Sequence, residues 1–152
     1  MLNLPLNGGC QCGVCRYTVG AKPFVAYTCH CRECQKLTAS AFLTCMQVAA
    51  ESVEVHSGLL RTNLRIADSG NELTTHFCGD CGSTLYIENS ARPRVRTVHV
   101  GTLDNPSEVE VTAHIWVNSK LPWVELPAAH RDFSGPGDWR ADYASDPSRY
   151  GE

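Results

Sequence analysis

Residues 78–82 read Cys-Gly-Asp-Cys-Gly, and this short stretch decides how the chain folds. The two residues between the cysteines form a tight turn that brings both thiolates to one metal ion, and a tetrahedral zinc ion then needs two further ligands. Residues 10–13, Cys-Gln-Cys-Gly, supply them, because residues i and i+2 of an extended segment face the same side. We therefore predict a structural zinc site that contributes directly to folding. Its four ligands are Cys10, Cys12, Cys78 and Cys81.

A second cluster, Cys29-His-Cys-Arg-Glu-Cys34, places three thiols within six residues. Zinc suits clustered thiolates because it is soft enough for sulfur. Three protein ligands and an open position are typical of a catalytic zinc, so we predict that Cys29, Cys31 and Cys34 bind one. The alternative is a closed structural site whose fourth ligand is Cys15, Cys45 or a histidine.

Three side chains near this second cluster have several interpretations. Cys45 lies in the apolar run 41–48, so we expect a buried thiol rather than a ligand. Cys15 stands at the start of an alternating segment and is expected to pack in the same way. His30 lies between two ligands and should point away from the metal. It then supports the ligands, faces the substrate or is a plain surface histidine.

The composition restricts the class of protein. The chain has 152 residues, nine cysteines, 43% hydrophobic residues and a formal net charge of −3. One domain of this length buries a real core, and the charge argues against a nucleic-acid-binding surface. No apolar run approaches the roughly 18 residues of a membrane span, and the N-terminus lacks the pattern of a signal peptide. We therefore expect a cytoplasmic protein with reduced thiols rather than a disulfide framework.

Short segments rich in Val, Ile, Thr and aromatic residues predict a mainly β fold with few short helices. The predicted strands are 16–19, 25–28, 41–47, 53–56, 64–67, 73–77, 84–87, 96–100, 109–112 and 114–117. The best helix starts near Cys31 and runs through Leu37. From Ala128 onward the chain is polar and contains Pro and Gly. We therefore predict a zinc-binding domain over residues 1–127 and an extension over 128–152 that packs on it or trails from it.

A zinc ion on three thiolates suits a thiol substrate. Three anionic sulfurs make the ion a weak Lewis acid that activates water poorly, since neutral histidine ligands are better for that purpose. An incoming thiol instead loses its proton on binding zinc and becomes a nucleophile at neutral pH. Addition of a thiol to a small carbonyl compound is therefore the reaction that this cluster favours.

Five ordered motifs make roughly residues 6–126 resemble the glutathione-dependent formaldehyde-activating enzyme family. They are Gly8–Tyr17, Cys29–Cys34, Phe77–Ser83, Gly101–Asp104 and His114–Trp123. The resemblance implies an Mss4-like, zinc-stabilised β-sheet fold with one structural and one catalytic zinc on the cysteines assigned above. It also implies a carbon–sulfur lyase activity that joins glutathione and formaldehyde into S-hydroxymethylglutathione. Ala39 stands where the family commonly has glycine, and Cys15 where it usually has an apolar residue.

Two other functions are compatible with these motifs. In the first, both zinc sites are structural and the protein is a non-catalytic, Mss4-like protein-interaction module. In the second, the thiolates of the second cluster sense zinc or oxidants. For the enzyme, basic side chains would hold the carboxylates of glutathione, and Arg32 and Lys36 lie beside the cysteines in sequence. The thiol and aldehyde specificity and the oligomeric state are not determined by the sequence.

Overall fold

The computed structural model describes residues 2–150, and these form eleven β-strands and one α-helix. This confirms the prediction of a mainly β fold. The strands are β1 (Leu6–Gly9), β2 (Arg16–Val19), β3 (Val25–Cys29), β4 (Leu43–Ala49), β5 (Val53–Ser57), β6 (Leu60–Ile66), β7 (Glu72–Cys78), β8 (Thr84–Asn89), β9 (Val95–His99), β10 (Ala113–Ile115) and β11 (Arg131–Phe133). The helix is α1 (Arg32–Thr38), and short 3-10 helices cover Ala50–Ser52, Val100–Thr102, Pro106–Glu108, Val117–Ser119 and Pro147–Arg149. Across the described residues, no helix has the length and apolar character that a membrane span requires.

The strands form two sheets. β1, β2 and β5 make a small antiparallel sheet, and the other eight make a large sheet in the order β11-β10-β3-β4-β9-β8-β7-β6. Neighbours in the large sheet are antiparallel, except that β10 runs parallel to both β3 and β11. Because β3 and β4 lie inside the sheet, β3 is buried along its whole length. The strand that ends in Cys29 therefore has a neighbouring strand on each edge and packed side chains on each face.

Two apolar clusters lie on opposite faces of the large sheet. Met46 and Val48 of β4 belong to the first cluster, which also contains Tyr17 of the small sheet. Leu43 and Cys45 of the same strand belong to the second cluster. Successive side chains of a strand point to opposite faces, so β4 contributes to both cores. The first core therefore joins the two sheets, and the second lies on the outer face of the large sheet.

Two predicted strands are wrong in part or in whole. Val109 and Val111 pack against the first cluster, but the segment 109–112 forms no strand within residues 2–150. Its alternating pattern misleads because any extended segment on a core shows the same alternation. The strand predicted over 114–117 begins one residue earlier and stops at Ile115. Trp116 then takes a left-handed conformation, with φ 56° and ψ 38°, that ends the extended segment.

The sequence pattern did not predict β1, β11 or the first part of β6. β1 contains Gly8 and Gly9, which lower strand propensity. Gly8 is needed there, since a Cβ atom would lie 2.6 Å from Cζ of Tyr17. β11 has only three residues and is exposed over two of them, so it shows no pattern. β6 extends four residues further toward the N-terminus than predicted, because it is an edge strand with mostly exposed side chains.

Residues 128–150 are anchored on the outer face of the large sheet. β11 pairs with β10, and Trp139 and Tyr143 are buried in the second cluster. The Tyr143 hydroxyl donates a hydrogen bond to Oε1 of Gln47 at 2.6 Å, and Nε2 of Gln47 donates to the Tyr27 hydroxyl at 3.1 Å. Two core aromatics are thus present in a segment that is polar on average. The domain boundary near residue 127 stays a prediction.

Substitution of Trp139 by alanine tests this anchoring. Trp139 is 2% exposed, so Trp139→Ala should lower the free energy of unfolding by about 3–5 kcal/mol through loss of packing. Trp123, at 72% exposure, provides a matched control whose alanine variant should change stability by less than about 0.5 kcal/mol. Urea unfolding followed by circular dichroism measures both. Equal, small effects would show that the segment contributes little to the core.

Candidate metal centres and active site

The first cysteine cluster joins the segment after β1 to the turn after β7. The Sγ atoms of Cys10, Cys12, Cys78 and Cys81 all lie within 4.8 Å of one another. The Cys10–Cys12 and Cys12–Cys78 sulfur distances are 3.5 and 3.8 Å. Zinc–sulfur bonds of about 2.3 Å in a tetrahedron give sulfur–sulfur edges of about 3.8 Å. These four residues therefore fit a zinc ion, as their spacing predicts.

Backbone groups shape the turns that present these sulfurs. The amide of Cys15 donates to Sγ of Cys10 at 3.2 Å, which directs one donor at the cluster. Gly82 has φ +79°, and its amide donates to the Cys78 carbonyl at 2.9 Å, so the turn requires a residue that tolerates the left-handed region. The Ser83 hydroxyl lies 3.2 Å from Sγ of Cys81 and accepts a hydrogen bond from the Gln11 amide. The spacing of the cysteines alone did not indicate this serine.

The second cysteine cluster lies where β3 passes into α1. Cys29 ends β3, Cys31 is the N-cap of α1, and Cys34 is in its first turn. Their Sγ atoms also lie within 4.8 Å of one another. In the described part of the chain, no fourth cysteine, histidine or carboxylate joins them. Three soft donors at this separation fit a zinc ion and leave one position of a tetrahedron free.

The three thiols differ in exposure and in ease of ionisation. Cys29 is buried, whereas Cys31 and Cys34 are partly exposed. Hydrogen bonds from the side chains of Cys29 and Cys34 and from backbone amides lower the pKa of the Cys31 thiol. The Cys34 amide is one of these donors, at 3.3 Å from Sγ of Cys31. The accessible thiols of the cluster are therefore the two at the start of α1.

The remaining two cysteines are buried and belong to neither cluster. Cys45 is 1% exposed and lies 3.8 Å from the Tyr27 carbonyl, and burial raises the pKa of its thiol well above the usual range. Cys15 is fully buried in the first core, and burial raises the pKa of its thiol to about 12. Both are therefore packed thiols, as expected.

A hydrogen-bonded row of histidines and one threonine lies on the face of β3 that is opposite to Cys29. Nε2 of His30 lies 2.8 Å from the Thr28 hydroxyl, which lies 2.6 Å from Nδ1 of His114. Nε2 of His114 lies 3.0 Å from Nδ1 of His130. His30 is fully buried, so it is not a plain surface histidine. Sequence reasoning missed Thr28 and His130 as members of this hydrogen-bonded row, because residues 28, 114 and 130 are far apart along the polypeptide.

Gln35 ties α1 to the same framework. It is the buried residue of this short helix, and its Nε2 donates to the carbonyls of His30 at 2.8 Å and Ser119 at 3.0 Å. Gln35 thereby joins α1 to a backbone segment that lies 84 residues further along the chain. A glutamine in a helix of mostly polar residues carries no sequence signal for such a role.

Arg32 and Lys36 lie on the face of α1 that is opposite to Cys34. With 3.6 residues per turn, residues 32, 35 and 36 share one face of the helix and Cys34 lies on the opposite face. Arg32 and Lys36 instead line a groove of about 380 Å³ together with Trp123. Their role in holding the carboxylates of glutathione stays a prediction.

Comparison with known proteins agrees with this geometry. The family model described as "Glutathione-dependent formaldehyde-activating enzyme" matches residues 5–119. The chain belongs to this family. Among solved structures, a crystal structure of a Rhodobacter sphaeroides protein is similar, with a TM-score of 0.54 and 21% sequence identity. The alignment covers 69% of this chain and 96% of that one, and it shows a shared fold. A search of the curated proteins finds no match.

Cysteine substitutions should separate the two metal centres of this family member. We expect about two zinc ions per chain in the wild type and about one in Cys31→Ser, which should stay folded because the four-cysteine site is intact. Cys78→Ser should lose cooperative unfolding, since the site that joins the two sheets is broken. Cys45→Ala, outside both clusters, is the control and should keep both ions. Elemental analysis with thermal unfolding measures these outcomes, and two ions retained in Cys31→Ser would contradict the assignment.

His99, opposite Cys45 in the β4–β9 pairing, makes stability depend on pH. It is 6% exposed, its Nε2 has no hydrogen-bond partner among the described residues, and burial lowers its pKa to about 4. The unfolded chain binds this proton below about pH 6.5, so stability should fall as the pH falls from there toward 4. The full effect of His99 is about 3 kcal/mol.

The variant His99→Leu isolates this effect from acid loss of zinc, which both proteins share. Between about pH 7 and pH 4.5, the free energy of unfolding measured with urea should fall by about 2–3 kcal/mol more in the wild type than in the variant. If the free energy of unfolding falls equally with pH in both proteins, burial does not lower the pKa of His99.

Proposed function

We propose that Cys29, Cys31 and Cys34 hold a catalytic zinc ion and that the protein joins a thiol to formaldehyde or a related small aldehyde. Glutathione is the proposed thiol. The observation that carries this proposal is a cluster of three sulfurs within 4.8 Å that no fourth protein ligand joins in residues 2–150. A purely structural site would be closed by a fourth side chain. The free position is the place for a substrate sulfur.

The proposed reaction is of the carbon–sulfur lyase class, running in the synthetic direction. A carbon–sulfur bond forms, the carbonyl π bond breaks, and the thiol proton is balanced by the proton of the new hydroxyl. Zinc, when bound, lowers the pKa of the incoming thiol so that a thiolate is available at neutral pH. Buried Cys29 fixes one ligand in the core, while the partly exposed Cys31 and Cys34 give access from outside.

Membership of the family supports the choice of substrates, because the family's description specifies glutathione and formaldehyde. A reducing compartment such as the cytoplasm would keep nine free cysteines reduced, and we propose this location for the protein. The protein-interaction alternative requires a second site that is closed by protein. The sensor alternative requires reversible loss of zinc without turnover of an aldehyde.

Exchange spectroscopy by NMR tests the proposal, because glutathione and formaldehyde also combine without a catalyst. Zinc-loaded wild-type protein should raise the exchange rate between free and hydroxymethylated glutathione above the spontaneous rate. Cys31→Ser should return it to the spontaneous rate, since the thiol loses its binding position, whereas Cys45→Ala should keep the wild-type rate. Equal rates with and without wild-type protein would refute the proposed reaction.

A further inference from the structure

The C-terminal segment places an aromatic side chain in one row with Cys29 of the three-cysteine cluster, with Ile115 between them. In the large sheet, Phe133 of β11 pairs with Ile115 of β10, and Ile115 pairs with Cys29 of β3. Residues that are opposite each other in paired strands point to the same face of a sheet. Phe133, Ile115 and Cys29 therefore form one row on the outer face.

Exposure distinguishes the members of this row. Ile115 and Cys29 are buried, whereas Phe133 is only partly buried and packs against the same apolar cluster as Cys31 and Cys34. The partly exposed apolar surface of this row thus belongs to Phe133. A group that extends along this row from the cysteines, past Ile115, reaches the Phe133 ring.

The position of Phe133 is fixed by its neighbours. Its ring meets the ring of buried Trp139 edge-on, with centroids 5.3 Å apart and an angle of 70°. Two residues further along, the Gly135 carbonyl accepts a hydrogen bond from the Trp116 amide at 3.1 Å. Trp116 directly follows Ile115, the centre of the row. These contacts hold Phe133 in place, and we call its partly exposed ring the wall.

The wall lies outside the part of the chain that the family model matches, which ends at residue 119. The cysteines lie inside that part. Chemistry at the cysteines is therefore carried by the matched region, whereas the surroundings of a bound ligand include a contribution from the C-terminal segment.

We infer that Phe133 is a specificity-determining residue that contacts the substituent of the aldehyde substrate. This inference rests on the proposed function. Formaldehyde carries no substituent and does not use the wall, whereas an aldehyde with an apolar group of aromatic size places that group against the Phe133 ring. The substrate class that the site favours is therefore an apolar aldehyde larger than formaldehyde.

Thiol binding to the cobalt-loaded protein tests the wall without turnover. In the adduct of a thiol and an aldehyde, the substituent lies two bonds from sulfur. Phenylmethanethiol holds its ring at the same distance, and 2-mercaptoethanol replaces the ring by a hydrophilic group. Sulfur-to-cobalt absorption gives both dissociation constants. Phe133→Ala should weaken binding of phenylmethanethiol roughly three- to tenfold, the range for one aromatic contact, and that of 2-mercaptoethanol less than about twofold. Phe133→Leu should retain most of the difference.

Phe24→Ala is the matched control. Phe24 packs against the same apolar cluster, but it precedes β3 and stacks on Tyr143 with centroids 4.3 Å apart. Its variant should leave the ratio of the two dissociation constants unchanged. If Phe133→Ala weakens both thiols equally, or leaves both unchanged, the wall inference is overturned while the proposed function stands. If neither these two thiols nor glutathione alters the cobalt absorption of the wild type, the proposed function fails, and the wall inference fails with it.

Discussion

The four-sulfur cluster of Cys10, Cys12, Cys78 and Cys81 is the constraint on which the rest of the structure depends. It connects the end of β1, in the small sheet, to the end of β7, in the large sheet. The first apolar core lies between these two sheets, and Cys10 and Cys78 are themselves part of it. Metal binding and burial of the core therefore act on the same interface, so the free energy of each supports the other.

β3 connects this framework to the second cysteine cluster, because Cys29 ends the strand. Its alternating side chains send Tyr27 and Cys29 to the outer face and Thr28 to the opposite face. On the outer face the strand carries a thiol and the apolar surface that the C-terminal segment covers. On the other face, the Thr28 hydroxyl links His30 and His114 through hydrogen bonds to Nε2 of His30 and Nδ1 of His114. One strand thus carries a cysteine of the second cluster on one face and a hydrogen-bonded row of polar side chains on the other.

The two cysteine clusters use the same kind of ligand in different settings. In the first, two turns that are distant in sequence each supply a pair of thiols, and the tetrahedron is complete. In the second, Cys29, Cys31 and Cys34 all come from one short strand-to-helix junction, and nothing in residues 2–150 supplies a fourth ligand. A junction of this length surrounds an ion on one side only. The open position is therefore a consequence of where the ligands come from.

The sequence by itself determined what depends on short separations along the chain. The spacing of the cysteines predicted both clusters, since turns of two to four residues have few conformations, and β-rich segments predicted most strands. The ordered motifs also identified the family. Only the tertiary structure decided which distant residues meet: Phe133 lies in one row with Cys29, and Trp139 lies in the second core. Those contacts depend on strand order and register across more than a hundred residues, and no local pattern of side chains encodes them.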